Sequence, residues 1–166
     1  MQESYEAILI EQIKVEEIPH VMEINRICLP ENYSYYYFHH LIVNWPRVCL
    51  SAKINGKIVG YILCRIEKGF SFFGLLKWVK KGHIVSIAVL PQFRNHGIGT
   101  ALMKRAINEM IHYYKVNEIF LEVRVSNPAQ RLYEKLNFKK LKVLKGYYSD
   151  GEDAYLMVLQ PSEFKI

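Results

Sequence analysis

The sequence predicts an α/β domain built on a mixed sheet. Three observations carry that reading: an opening strand–helix–helix unit, a hairpin signal over Val48–Arg65, and an alternation of strand and helix patterns from His83 to Leu159. Ala7–Lys14 reads as the first strand. Glu16–Cys28 has helical spacing, with Ile18, Val21, Met22, Ile24 and Ile27 available for a core face. Pro30 restricts Leu29 and ends that helix within Leu29-Pro30-Glu31-Asn32-Tyr33. Ser34 is positioned to cap a second helix over Tyr35–Trp45.

Val48–Ile54 and Ile58–Arg65 flank Asn55-Gly56, a pair that accepts the positive φ values of a tight turn. Glu67–Lys81 reads as a loop carrying Phe70, Phe72, Phe73, Leu75, Leu76 and Trp78. Core packing is the first expectation for those apolar residues, ahead of a substrate-side lid or an interaction patch. His83–Val89 is the next strand, followed by a turn and a helix reaching about Tyr114. That helix carries Met103, Ile107, Met110 and Tyr114 on one stripe and Lys104, Arg105, Asn108, Glu109 and His112 on the other. A strand at Glu118–Val125, a helix at Pro128–Leu136, and strands at Phe138–Leu144 and Ala154–Leu159 complete the pattern.

At 166 residues the chain fits one domain spanning 1–166, and 51% hydrophobic content supplies a core. The longest apolar runs fall far short of the roughly 20 residues that span a bilayer. Met1-Gln2-Glu3-Ser4 lacks the basic and apolar regions of a signal peptide. Cys28, Cys49 and Cys64 are odd in number and show no CxxC spacing or metal-like cluster, so they read as small core residues of a reducing compartment. A cytoplasmic protein without a metal or a membrane is expected. The net charge of +6 suits an anionic partner. Lys135, Lys139, Lys140, Lys142 and Lys145 concentrate part of it. That cluster reads first as a solvated face, and no interleaved aromatics mark a specific nucleic-acid site.

The most informative segment is Arg94-Asn95-His96-Gly97-Ile98-Gly99 between a strand and a helix. Helix N-termini present unpaired N–H groups and partial positive charge, and glycines let an anion approach the backbone. The string lacks the GxxxxGK[ST] of a P-loop, and Leu102 stands where a dinucleotide fingerprint has its last small residue. It matches the (R/Q)xxGx(G/A) turn that holds the pyrophosphate of CoA in GNAT acetyltransferases. The wider chain resembles the archaeal and eukaryotic arrest-defective-type amino-terminal acetyltransferases, the catalytic subunits of NatA-like enzymes, with the bacterial RimI type more distant. Carrying the resemblance are Leu29-Pro30-Glu31-Asn32-Tyr33, the Gly82–Val89 string GHIVSIAV, the phosphate turn, Leu121–Asn127 (LEVRVSN), Leu132–Phe138 (LYEKLNF) and Gly146–Tyr155 (GYYSDGEDAY).

The resemblance implies a mixed, mostly antiparallel sheet splayed between strands 4 and 5 and flanked by helices. It implies acetyl-CoA as acetyl donor, CoA as product, and N-termini of proteins or nascent chains as acceptors. Backbone groups of Ile87, Ala88 and Val89 would hold the pantetheine arm. Amides of Arg94, Asn95, His96, Gly97, Ile98, Gly99 and Thr100 would hold the pyrophosphate, with Asn127 and Tyr133 near the pantetheine and the sulfur. Glu122 and His83 would hold a water that takes the amine proton. Read from the residues alone, Glu122 is instead a mid-strand carboxylate paired with Arg124, and His83 a strand-edge histidine. Tyr133 is the candidate acid for the leaving thiolate, or a core aromatic. Glu31, Tyr33, Arg124 and Tyr148 would line the peptide groove.

Asn127 and Tyr133 stand one residue closer than the family pattern, and one residue turns a helix by about 100°. Two readings compete with amino-terminal acetylation. One is a GNAT enzyme acting on lysine side chains or small amines. The other is a CoA-binding interaction module docked on the ribosome through the lysine cluster. A monomer is expected, and the sequence leaves an auxiliary subunit open.

Overall fold

The computed structural model describes residues 7–165, so the reading of residues 1–4 lies outside it. Among the described residues seven strands form one sheet in the order β1-β2-β3-β4-β5-β7-β6. They are β1 (Leu9–Gln12), β2 (Leu50–Ile54), β3 (Lys57–Phe70), β4 (Trp78–Val89), β5 (Glu118–Arg124), β6 (Lys139–Leu144) and β7 (Ala154–Leu159). The described residues form four α-helices: α1 (Ile18–Cys28), α2 (Tyr35–Asn44), α3 (Ile98–His112) and α4 (Gln130–Lys135). Residues Met1–Arg65 with Ser86–Glu109 make one compact unit, and Ile66–Val85 with Met110–Ile166 make the other. Among the described residues no helix is long and apolar enough to cross a membrane.

In the first unit, β1 pairs antiparallel with β2, from Leu9↔Lys53 to Gln12↔Leu50. The β2–β3 hairpin closes on Asn55 at φ 50° and Gly56 at φ 74°, the two positive φ values that an Asn-Gly turn supplies. Helix α1 carries Pro19 in its first turn and ends before Leu29, which is extended at φ −132°, ψ 143°, as the following proline requires. Its buried stripe is Ile18, Val21, Ile24 and Asn25. The expected Ile27 instead faces solvent. Ser34 caps α2, its Oγ accepting from the Tyr37 amide at 3.3 Å, and Phe38, Leu41 and Ile42 turn inward. The inner face of α3 buries Ile98, Leu102, Met103, Ala106 and Ile107. Cys49 and Cys64 are buried free thiols, as the sequence predicts, and burial pushes the Cys49 thiol up to about 12.

The second unit holds the far ends of β3 and β4. These strands run longer than expected, leaving residues 71–77 as the connection, closed by Ser71 N–H donating to Lys77 O at 2.8 Å. The expectation that its apolar residues pack inward fails for most of them. Phe70, Phe73, Leu75, Leu76 and Trp78 are exposed, Leu75 completely. Only Phe72 packs on the core, edge-on to Phe120 at 5.2 Å between ring centres. These residues belong to, or flank, the short connection between β3 and β4.

β4 and β5 pair in parallel through Lys81↔Glu118, Gly82↔Ile119 and His83↔Phe120. β4 then continues to Val89 and β5 to Arg124. The parallel register between them is Lys81–His83 against Glu118–Phe120. Antiparallel β5–β7 and β7–β6 ladders complete the unit. Edge strand β6 exposes Lys139, Lys140 and Lys142, a placement that discourages edge-to-edge pairing.

Gly60 lies where β3 and β4 approach closely. A Cβ there would stand 3.0 Å from Ala88 O and 3.2 Å from a Val89 methyl. Overpacking of this kind costs about 1–3 kcal/mol. Gly60→Ala is therefore expected to lower the thermal midpoint by about 2–4 °C per kcal/mol lost. Calorimetry checks this, and an unchanged or higher midpoint would contradict the close approach.

Candidate functional site

The phosphate turn leaves β4 through Pro91–Phe93, a single 3-10 turn. Arg94 N–H is bonded back to Pro91 O at 3.3 Å, so the expected run of donors starts after it. Asn95 takes φ 63° and Gly97 φ 79°. A Cβ at Gly97 would meet nothing within 4 Å, so the position is set by its left-handed backbone rather than by space. The i→i−4 bond at the head of α3 runs from Ala101 N–H to Gly97 O at 3.0 Å. The amides of Ile98, Gly99 and Thr100 precede it and find no acceptor inside the helix. Arg94 Nε donates to Val89 O at 2.8 Å, holding the arginine stem along the turn. A positive helix end, a left-handed glycine and an adjacent guanidinium fit a polyanion such as pyrophosphate.

A chain of buried polar groups ties the neighbouring loop down. Ser86 Oγ on β4 and Tyr61 hydroxyl on β3 are 2.7 Å apart. Asn25 Nδ2 on α1 donates to the Tyr61 hydroxyl at 2.9 Å and to Glu31 O at 3.0 Å. Burial pushes the Tyr61 phenol above the ordinary tyrosine range. Glu31 and Tyr33 thus lie on a loop fixed by its backbone, and the Tyr33 ring packs on Tyr37 at 5.1 Å. Sequence reasoning missed Asn25. The visible signal was a polar residue seven positions after Ile18, on the apolar stripe.

In the other unit, His83 and Glu122 come together. His83 Nε2 is 2.7 Å from Glu122 Oε2. The imidazole is stacked on Phe120, with centroids 4.3 Å apart and planes 7° from parallel. The ladder explains this: His83 pairs with Phe120, and Glu122 follows on the same face of β5. Arg124, next on that face, reaches Asp150 Oδ2 at 2.8 Å and lies over the Tyr148 ring at 4.0 Å. The Glu152 amide and then Arg124 hold the Asp150 carboxyl below its ordinary range. Arg124 and Tyr148 are thus joined through the GYYSDGEDAY loop.

Tyr133 is buried, and burial raises its phenol above the usual tyrosine range. The short Asn127–Tyr133 spacing is absorbed locally. Asn127 Oδ1 accepts from the Ala129 amide at 2.9 Å, and α4 begins only at Gln130 rather than at the expected Pro128. Asn127 therefore serves as a turn residue. In the lysine cluster, Lys139 pairs with Glu163, Lys140 with Glu134 and Lys145 with Asp153, which offsets much of the local charge.

Residues 18–138 match the model of the acetyltransferase (GNAT) family. The chain belongs to that family. The N-alpha-acetyltransferase of Saccharolobus solfataricus is 52% identical over 146 residues, covering 87% of each chain. The N-alpha-acetyltransferase of Sulfurisphaera tokodaii is 50% identical over 150 residues, 89% of this chain and 90% of that one. A NatC complex bound to Gag peptide and CoA contains a chain of the same fold. Its TM-score is 0.82 at 25% identity, over 93% of this chain and 99% of that one. The family uses acetyl-CoA, and the turn of this GNAT protein suits its pyrophosphate.

Tyr61→Phe removes the hydroxyl that joins Ser86 to Asn25 and strands buried polar atoms. A loss of about 1–3 kcal/mol is expected. Urea unfolding checks it through a lower midpoint at constant slope. A midpoint equal to that of the parent would show that the chain of bonds carries no stability.

Proposed function

We propose that the protein is an N-alpha-acetyltransferase: it moves acetyl from acetyl-CoA to the N-terminal amine of protein substrates by direct attack. The observation that carries this reading is the 2.7 Å contact of His83 with Glu122, a base pair suited to an amine that arrives protonated. The names of the archaeal relatives at 50% and 52% identity support the substrate class. The proposal takes residues 1–166 as one acetyltransferase domain, monomeric and cytoplasmic. Free cysteines are in keeping with a reducing compartment.

A free α-amino group has a pKa of about 7.7–8.0, so much of it is an ammonium at neutral pH. Glu122 and His83 take its excess proton through a water held between them and the amine. The acetyl donor supplies an activated thioester carbonyl. Donors from Asn95 to Thr100 and the Arg94 guanidinium bind its pyrophosphate, and backbone groups of Ile87, Ala88 and Val89 hold its pantetheine arm. Tyr133 keeps its proton, because burial raises its phenol. A thiol has a pKa of about 8.5, so a tyrosine stabilises the departing thiolate by donating a hydrogen bond rather than by full transfer. Asn127, tied into its turn, steadies the start of α4. Glu31, Tyr33, Arg124 and Tyr148 contact the first residues of the peptide. Cys49 and Cys64, buried thiols with raised pKa, are poor nucleophiles, in keeping with attack without an acyl-enzyme.

Short peptides with free and with blocked N-termini test the proposal, with CoA release and mass-spectrometric mapping of the acetyl group as readouts. Acetylation of the α-amine only is expected, and modification confined to lysine side chains would overturn it. Glu122→Gln should lower kcat by about 10²-fold or more, the scale of general-base catalysis. Unchanged turnover removes Glu122 from the chemistry.

A further inference from the structure

Histidine has two ring nitrogens, and Glu122 occupies one of them. At 2.7 Å from Nε2, Glu122 Oε2 shares one proton with the ring. The other nitrogen, Nδ1, is buried and makes no hydrogen bond within the described residues, in a side chain whose residue is only 8% exposed. Buried polar atoms without a partner are rare in folded proteins and mark functional places. Phe120 lies flat against the ring, and Phe72 packs edge-on to Phe120.

Glu67, on β3, presents Oε2 4.0 Å from that nitrogen. Its side chain is 32% exposed. Charged groups near His83 are contributed by β3, β4 and β5. Glu67 lies on β3, Glu122 on β5, and Lys81 on β4 itself. The Lys81 ammonium sits 4.0 Å from the Phe72 ring centre and 5.1 Å from that of Phe120. One carboxylate thus stands opposite each ring nitrogen, Glu122 in hydrogen-bond contact and Glu67 4.0 Å away.

We propose that Glu67 is the second carboxylate of His83, a positioning residue that governs how readily the His83–Glu122 pair holds the proton surrendered by the substrate amine. The balance is simple. The ammonium loses one proton and the pair gains one, the ring then carrying N–H on both nitrogens, with Glu122 accepting from Nε2 and the Glu67 carboxylate facing Nδ1 across 4.0 Å. The proton later leaves to bulk water. This rests on the reading of His83 and Glu122 as the base.

The test compares pH profiles of kcat/KM for the parent protein, Glu67→Gln, Glu67→Asp and Glu122→Gln. Removing the Glu67 charge makes the proton-bound ring less favourable. The acidic limb of the Glu67→Gln profile is therefore expected to move to lower pH by about one unit, the usual scale for a charge at this range. The plateau should fall severalfold, KM for peptide and acetyl-CoA should stay unchanged, and Glu67→Asp should restore part of the profile. A merely structural loss would leave the limb in place. Ring ¹⁵N resonances of His83 give a reading independent of turnover: the pH at which Nδ1 gains its proton should fall in Glu67→Gln. If limb and resonances both stay where they are, Glu67 has no such role. If Glu122→Gln retains full activity, the base reading fails instead, whatever Glu67 does.

Discussion

Three parallel residue pairs, Lys81 to His83 against Glu118 to Phe120, set the second unit. Parallel pairing is slanted, and in this sheet it stops at His83↔Phe120 while both strands continue. The last pair fixes the face that His83 shares with Phe120 and, two residues on, with Glu122. A slip of one residue would turn Glu122 to the opposite face and separate it from the imidazole. The ring stack on Phe120 and the 2.7 Å contact follow from that register. Glu118 anchors the start of the ladder by accepting from Ser71 Oγ and from the Phe72 amide at 3.0 Å, which seats Phe72 behind Phe120.

A comparable constraint operates in the other unit. Loops near a site need a defined backbone without a covering layer, and burying polar atoms is tolerable only when each finds a partner. Ser86, Tyr61 and Asn25 meet that condition in sequence and end on Glu31 O. The Cys28 thiol on α1 reaches Val89 O at 3.5 Å, a further tie between the helix and the strand end. The phosphate turn depends on less: two left-handed residues, Asn95 and Gly97, and a helix that begins straight after them.

Much of this was legible in the sequence because it rests on local chemistry. Asn55-Gly56 announces its hairpin, Ser34 its cap, and Arg94–Gly99 its turn. The start of α4 was not. Asn127 diverts the Ala129 amide into a side-chain turn, a choice that spacing alone does not reveal. The 71–77 connection was misread for another reason. Hydrophobicity alone does not decide burial in a short connection, and Phe73, Leu75 and Leu76 are exposed there. Glu67 and Asn25 escaped notice because their importance comes from partners far away in the chain. Glu67 looks like any half-exposed strand carboxylate until His83 Nδ1 is seen opposite it.

In the proposed mechanism His83 and Glu122 act as one unit, and a double-mutant cycle on kcat/KM addresses that directly. His83→Gln, Glu122→Gln and the double variant are compared with the parent. Coupling of about 1 kcal/mol or more, roughly fivefold, is predicted, with the double variant hardly worse than the weaker single variant. Losses that simply multiply, within about twofold, would show two independent residues and contradict the account.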